Sequence, residues 1–399
     1  MERGNSLTKK SLYLLYFITF LSMTGYGVVL PALPYLAASL DLSSFQMGTL
    51  ITGWALAQFF SVPFWGMLAD RIGKKPVLLI GLGGFGVAFL LLLAANSYLS
   101  LLLIRVIGAI LSSGMQPAAM ALVTNLYDKK NRSEAIAKMG AASGLGFLCG
   151  PLAGSLLSPF GMTAPFFLSG LLSLLAIPFA WIFISEGQHK RTAKQHEVNF
   201  LQSIRFLFEK DYKQLFFITL GMAVAASSLF SMLGFLLMER FFATPFETGA
   251  AFSVQSGAAV FVQLVLFSFV CKHLTEKATA SFGLIIQALG FACIALSFHL
   301  SVVFIGCIFI GIGSAFTRPT LISMLARQNT IGQGTVMGLQ AAMDSLGRGV
   351  GPLLAGLLYS MAHFGPFLMA FVLCICLFFY FSFSKSFTEQ RMHSRTITK

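Results

Sequence analysis

The chain is divided into apolar runs of about 20 residues, the length a helix needs to cross roughly 30 Å of hydrocarbon. Twelve can be counted, near 11–36, 46–69, 76–95, 98–123, 135–158, 163–184, 214–238, 248–271, 278–298, 300–324, 335–359 and 364–384. Inside a bilayer the backbone finds no water to bond, so such runs must satisfy their own hydrogen bonds, as helices. Composition agrees: 56% of the 399 residues are hydrophobic and 10% charged, against about 25% charged in an ordinary soluble domain. The expectation is an all-α membrane protein with twelve transmembrane helices. Lys9 and Lys10 before the first run imitate a signal peptide. That run is too long for one and no cleavage site closes it, so it is read as a helix.

The net charge of +13, from 27 Lys and Arg against 14 Asp and Glu, would in a soluble protein raise nucleic acid as a partner. Its placement points elsewhere. Basic residues occupy alternate loops, at Lys9/Lys10, Arg71/Lys74/Lys75, Lys129/Lys130/Arg132, Lys190/Arg191/Lys194, Lys272/Lys277, Arg327 and the tail from Lys385. The intervening loops hold almost none, apart from Arg240 beside Glu239 and Glu247. Positively charged loops stay cytoplasmic, so a multi-pass protein of the cell (inner, cytoplasmic) membrane is expected, with both termini inside. Its partners are then the lipid bilayer, anionic lipid included, and a small-molecule substrate, with no nucleic acid.

Catalysis and metal binding find no support. The six histidines, at 189, 196, 273, 299, 363 and 393, lie in loops or at span edges, and the six cysteines lack metal-ligand spacing. No catalytic residue, metal or cofactor is therefore expected. No Walker-type glycine loop precedes a lysine, so ATP is not the expected energy source.

The longest polar connection divides the spans six and six: an N-terminal bundle over 1–184, a central cytoplasmic loop over 185–213, and a C-terminal bundle with its tail over 214–399. Sliding the sequence on itself by about 201 residues sets "CGPLAGSLL" (149–157) on "VGPLLAGLL" (350–358). The same shift, within one residue, sets Gln116-Pro117 on Arg318-Pro319. Matching prolines in corresponding helices of two halves point to transporter architecture.

Four motifs sharpen this. "GMLADRIGKKPVL" (66–78) joins spans two and three, with Gly66 expected to admit a close helix, Gly73 to supply the turn and Asp70 to meet basic neighbours. "LLLIRVIGA" places Arg105 well inside span four. Span one carries Gly25, Pro31 and Pro34. In "GLGFLCGPLAGS" (144–155), Gly146, Gly150 and Gly154 recur every four residues and so share one helix face, while Pro151 removes a backbone donor. The first motif matches G-x-L-A-D-R-x-G-R/K-K-x-x-L throughout and resembles the signature loop of the major facilitator superfamily. The second resembles that family's R-V-x-x-G pattern. The third is similar to the first-helix motif of its twelve-span drug exporters. The fourth resembles G-x-x-x-G-P-x-x-G-G, associated with the antiporter branch, with Ser155 in place of the last glycine. At the second-half counterpart of the signature loop (271–283) the pattern has decayed.

The resemblance implies two six-helix bundles that expose a central site alternately to each side, in a monomeric secondary transporter of the drug:proton antiporter branch driven by the proton gradient. It implies gating roles for Asp70, Arg71, Lys74, Lys75 and Asp128. Exporters of this kind carry carboxylates where this chain has Ser227/Ser228 and Ala315. Asp344, the one acid deep in any span, is thus the expected proton-binding group, compensated by Arg318 or Arg348. A local pair between Asp344 and Arg348, four residues apart, is the plainer alternative.

Tyr26, Trp54, Gln58, Gln116, Ser227, Phe230, Gln255 and Gln340 are the candidate cavity residues, suited to loose binding of amphipathic molecules. Each Gln or Ser among them is otherwise a helix-to-helix bond. Arg318 without acids in spans seven and ten tilts the expected cargo from strong cations toward neutral, zwitterionic or anionic molecules, such as a siderophore or a metabolite. An importer of the same fold is the alternative, and a channel a more distant one.

Overall fold

The computed structural model describes residues 2–126, 132–184, 209–326 and 333–383, all in helices, turns and short connections, with no strand among them. The helices are α1 (Glu2–Ala38), α2 (Ser44–Ile72), α3 (Lys74–Leu91), α4 (Tyr98–Ser112), α5 (Met115–Leu126), α6 (Arg132–Leu157), α7 (Ala164–Phe183), α8 (Lys210–Phe241), α9 (Pro245–Phe261), α10 (Phe267–His273), α11 (Glu276–Ala295), α12 (Leu300–Ala326), α13 (Gln333–Met361) and α14 (Gly365–Ser382). Asp128 and nearly all of the expected central loop lie outside the described residues.

Among the described residues, ten spans are long and apolar enough to cross a membrane. The expected second and eleventh, α2 and α13, are missing from that set although each has 29 residues, about 43 Å of helix. They are diluted by Gln58 and two tryptophans in α2, and by Gln340, Asp344 and Arg348 in α13. The expected fourth span is interrupted at Ser113-Gly114, between α4 and α5. There a Cβ on Gly114 would stand 2.8 Å from Val77 and 2.9 Å from Trp65. The eighth span passes through a π-helical turn, Val262–Leu266, between α9 and α10.

By contacts the chain forms two compact units, whose boundary departs from the six-and-six division. Unit one holds residues 1–193 and 230–256, so the second part of α8 and most of α9 belong with the first six spans. Unit two holds 194–229 and 257–399. In unit one α1 packs on α6 and α7, α3 on α4, α5 and α7, and α2 on α4. In unit two α11 packs on α12 and α14, and α13 lies against α12 and α14. Tyr212, Phe216, Leu284, Leu325 and Phe381 are at its core.

The glycine face of α6 explains the closest of these contacts. A Cβ on Gly146 would strike the Phe20 carbonyl oxygen, one on Gly150 would stand 2.6 Å from both Gly27 Cα and Thr24 O, and one on Gly154 3.0 Å from Pro31. Small residues let two backbones approach, the main attraction between helices once lipid replaces water. The 201-residue repeat reappears as packing. In unit two Gly347 lies 2.8 Å, as a virtual Cβ, from Leu220 O, and Gly351 3.2 Å from Val224 Cα. Helix α13 thus rides on α8 as α6 rides on α1.

Candidate functional site

Two clusters of polar side chains inside the spans hold charged residues, one in each unit. In unit one, Arg105 of α4 is only 6% exposed, and its guanidinium lies 4.3 Å from the ring centroid of Trp54 in α2. No carboxylate pairs with it among the described residues, and its Nε has no hydrogen-bond partner. A desolvated cation over an aromatic face gains about 2 kcal/mol or more, which partly offsets burial. Tyr26 of α1 meets Trp54 edge-on at 5.7 Å and Phe85 at 5.6 Å, and its hydroxyl accepts from Gln58 Nε2 at 2.6 Å. One turn earlier on α1, Ser22 Oγ accepts from Gln116 Nε2 at 2.9 Å. Five sequence-expected residues, Tyr26, Trp54, Gln58, Arg105 and Gln116, therefore converge around one stretch of α1.

In unit two, Asp344 Oδ2 accepts from Arg318 at 3.1 Å and from Arg348 at 2.8 Å. Both arginines that the sequence offered as partners meet the carboxylate, Arg348 from within α13 and Arg318 from α12. Both arginine side chains are 55% exposed and Asp344 is 21% exposed. Gln340, half-buried, lies one turn before Asp344 on the same face of α13.

Other expected residues make packing contacts. Ser227 is buried under Gly351, and its hydroxyl donates to Ala223 O at 2.7 Å and lies 3.4 Å from Gly347 O. Phe230 packs its ring between Phe147 and Phe252. Gln255 is 7% exposed and accepts from Ser256 Oγ at 3.3 Å. For Ser227 the reason is Gly351, which brings the α13 backbone onto its side chain.

At the signature turn, Gly73 has φ 103, a left-handed value that favours glycine, and its N–H donates to Ala69 O at 3.1 Å. Gly66 does not serve close approach, since a Cβ there would meet nothing within 4 Å. Asp70 and Arg71 are exposed, and no ion pair joins Asp70 to Arg71 or Lys74 among the described residues. Lys75 instead donates to Trp181 O at 2.6 Å and lies 5.6 Å from that residue's ring.

One site in unit one was not visible in the sequence. Tyr35 Oη, at the end of α1, donates to Ala243 O at 2.7 Å and accepts from Thr248 Oγ1 at 2.8 Å. Phe242, with φ 52, makes the turn that presents this carbonyl, and Glu247 caps the start of α9 by accepting from Thr244 N at 2.7 Å. Gly234 against Pro34 and Gly249 against Pro151 O, each at 2.6 Å, seat the same segment. Replacing Tyr35 with Phe leaves a buried hydroxyl and carbonyl without their partner, so a loss of about 1–3 kcal/mol is expected. Faster hydrogen exchange confined to 230–256 would report it; unchanged exchange would show that the bonds hold nothing.

The comparisons with known proteins agree with this architecture. The Major Facilitator Superfamily model matches residues 15–241 and 215–395. Multidrug resistance protein 2 of Bacillus subtilis (strain 168) is 28% identical over 376 residues, 93% of this chain and 94% of that protein. Quinolone resistance protein NorA of Staphylococcus aureus (strain MRSA252) is 25% identical over 363 residues, 90% of this chain and 93% of that protein. A mutant form of the nucleoside transporter NupG shares the fold at a TM-score of 0.80 and 16% identity, covering 93% of this chain and 98% of that one. With its apolar spans, its paired glycine-faced helices and family matches that run almost end to end, the chain is a multi-pass membrane protein that belongs to the major facilitator superfamily.

Proposed function

We propose that the chain is a secondary exporter of small amphipathic molecules, working by alternating access in exchange for protons. It acts as a monomer in the cell membrane, with both termini cytoplasmic and no bound cofactor. The observation that carries this reading is the Gly146–Gly150–Gly154 face of α6 seated on the α1 backbone, since that stretch resembles the motif of the antiporter branch. Relatives named for multidrug and quinolone resistance support it. The aromatic and amide cluster around Tyr26 supplies apolar surface with few directional bonds, which suits varied cargo.

Everted membrane vesicles given an acid interior test the direction: ethidium or norfloxacin should accumulate and be released by an uncoupler. Uptake only into right-side-out vesicles would overturn export. In this reading Asp344 binds the proton. Asp344→Asn should reduce gradient-driven uptake on the order of 100-fold, the scale on which a positioned proton-transfer group matters. Full uptake by the variant removes Asp344 from that role.

A second reading, a symporter that imports, is favoured by the ion-pair geometry. With Asp344 ionised the triad carries one net positive charge, and protonating it leaves two guanidiniums uncompensated. Proton and anionic cargo would then reinforce each other's binding, which is the linkage of symport. Right-side-out vesicles with an acid exterior separate the two.

A further inference from the structure

We infer that Arg318 and Arg348 form a binding subsite for the carboxylate of an organic anion, with Asp344 as its internal counterion. This deepens the transporter reading and rests on it only for the meaning of the cargo. Both guanidiniums reach the same oxygen, Oδ2 of Asp344, through one terminal nitrogen each. A guanidinium has five N–H donors in a planar fork, so most of the donor capacity of both residues is left over. That capacity is accessible, since each arginine side chain is 55% exposed although each lies within a long helix of the bundle, α12 or α13.

The charge does not balance. Two cations share one anion, so the cluster keeps one net positive charge, and charged groups within membrane spans mark substrate or ion pathways. Planar donor forks select planar acceptors, and a carboxylate accepts two parallel N–H bonds from one guanidinium. Gln340 adds an amide one turn before Asp344 on the same face of α13. Neighbouring Phe316 does not line this face: it is buried against Phe267 and Phe282. The selectivity of the subsite is therefore set by charge and planarity.

A simple α12–α13 clamp predicts different behaviour, and ligand binding separates the two. Full-length protein in nanodiscs is dialysed against 1-naphthoate, its neutral isostere 1-naphthamide, and 1-naphthylmethylammonium. Naphthoate should bind about tenfold more tightly than naphthamide, the usual gap between a charge-assisted and a neutral hydrogen bond, and the ammonium weakest. Arg318→Gln and Arg348→Gln should each abolish the preference for naphthoate. Asp344→Asn, which frees both forks, should tighten naphthoate severalfold and leave naphthamide unchanged.

Equal binding of naphthoate and naphthamide by the wild type would overturn the proposal. So would a preference that survives both arginine substitutions, or an Asp344→Asn protein that binds naphthoate less well. Where Arg318→Gln does not fold, Arg348→Gln and Asp344→Asn decide. No gradient is applied, so the result stands apart from the direction of transport. A naphthoate preference with no export in everted vesicles would remove the exporter reading alone.

Discussion

Replacing Gly150 with leucine should eliminate folded protein, whereas leucine at Gly144, six residues earlier on the same helix, should be tolerated. At Gly150 the first added carbon would stand 2.6 Å from Gly27 Cα and Thr24 O. Both are backbone atoms of α1, which cannot move aside as a flexible side chain can. At Gly144 the same carbon meets nothing within 4 Å. Overpacking a well-packed core typically costs about 1–3 kcal/mol, and a leucine that forces two helices apart along a shared face exceeds that range. The effect should recur at Gly351→Leu, because Gly351 meets Ser227 and Val224 in unit two much as Gly150 meets α1. Size-exclusion profiles and thermal melts of the three variants check this. Equal yields and melting temperatures for Gly150→Leu and Gly144→Leu would show that the α1–α6 contact carries no such constraint.

That contact was legible before any coordinates, because small residues repeating every four positions can only share a face, and the 201-residue repeat carried the same inference to α13. Signals of this kind are local and periodic. Tyr35 and Thr248 were not legible, since their bond joins residues 213 apart in the chain with nothing periodic at either end. A tyrosine directly after the Pro31–Pro34 motif was the available hint. Ser227 and Phe230 were expected in a cavity on side-chain type alone, and that type does not reveal their neighbours: Gly351 brings backbone over one, while Phe147 meets the other edge-on and Phe252 stacks on it. The interruption at Ser113-Gly114 was hidden because hydropathy runs on unbroken while Trp65 and Val77 crowd the glycine. Asp344 shows the opposite case. Its spacing from Arg348 revealed one pair, and only the packing of α12 on α13 shows that Arg318 holds the same oxygen.

Arg105→Met is expected to raise the melting temperature of the protein while abolishing transport. Arg105 is 6% exposed, has no carboxylate among the described residues, and leaves its Nε unbonded. Burying such an ion costs several kcal/mol even after relaxation. The face of Trp54 at 4.3 Å returns about 2 kcal/mol, so the side chain destabilises the resting fold. Methionine has similar reach, needs no partner and packs against Trp54 and Tyr26 through its thioether. Each kcal/mol recovered should appear as a rise of about 2–4 °C. A residue kept at a cost in stability must contribute in another state of the cycle, and the spare donor beside Trp54 fits a partner taken up transiently in that state. Arg105→Lys keeps the charge but loses the planar contact with the indole, so it should also transport poorly without the gain in melting temperature. A lower melting temperature for Arg105→Met would make Arg105 a structural residue, and wild-type uptake by that variant would take it out of the transport cycle altogether.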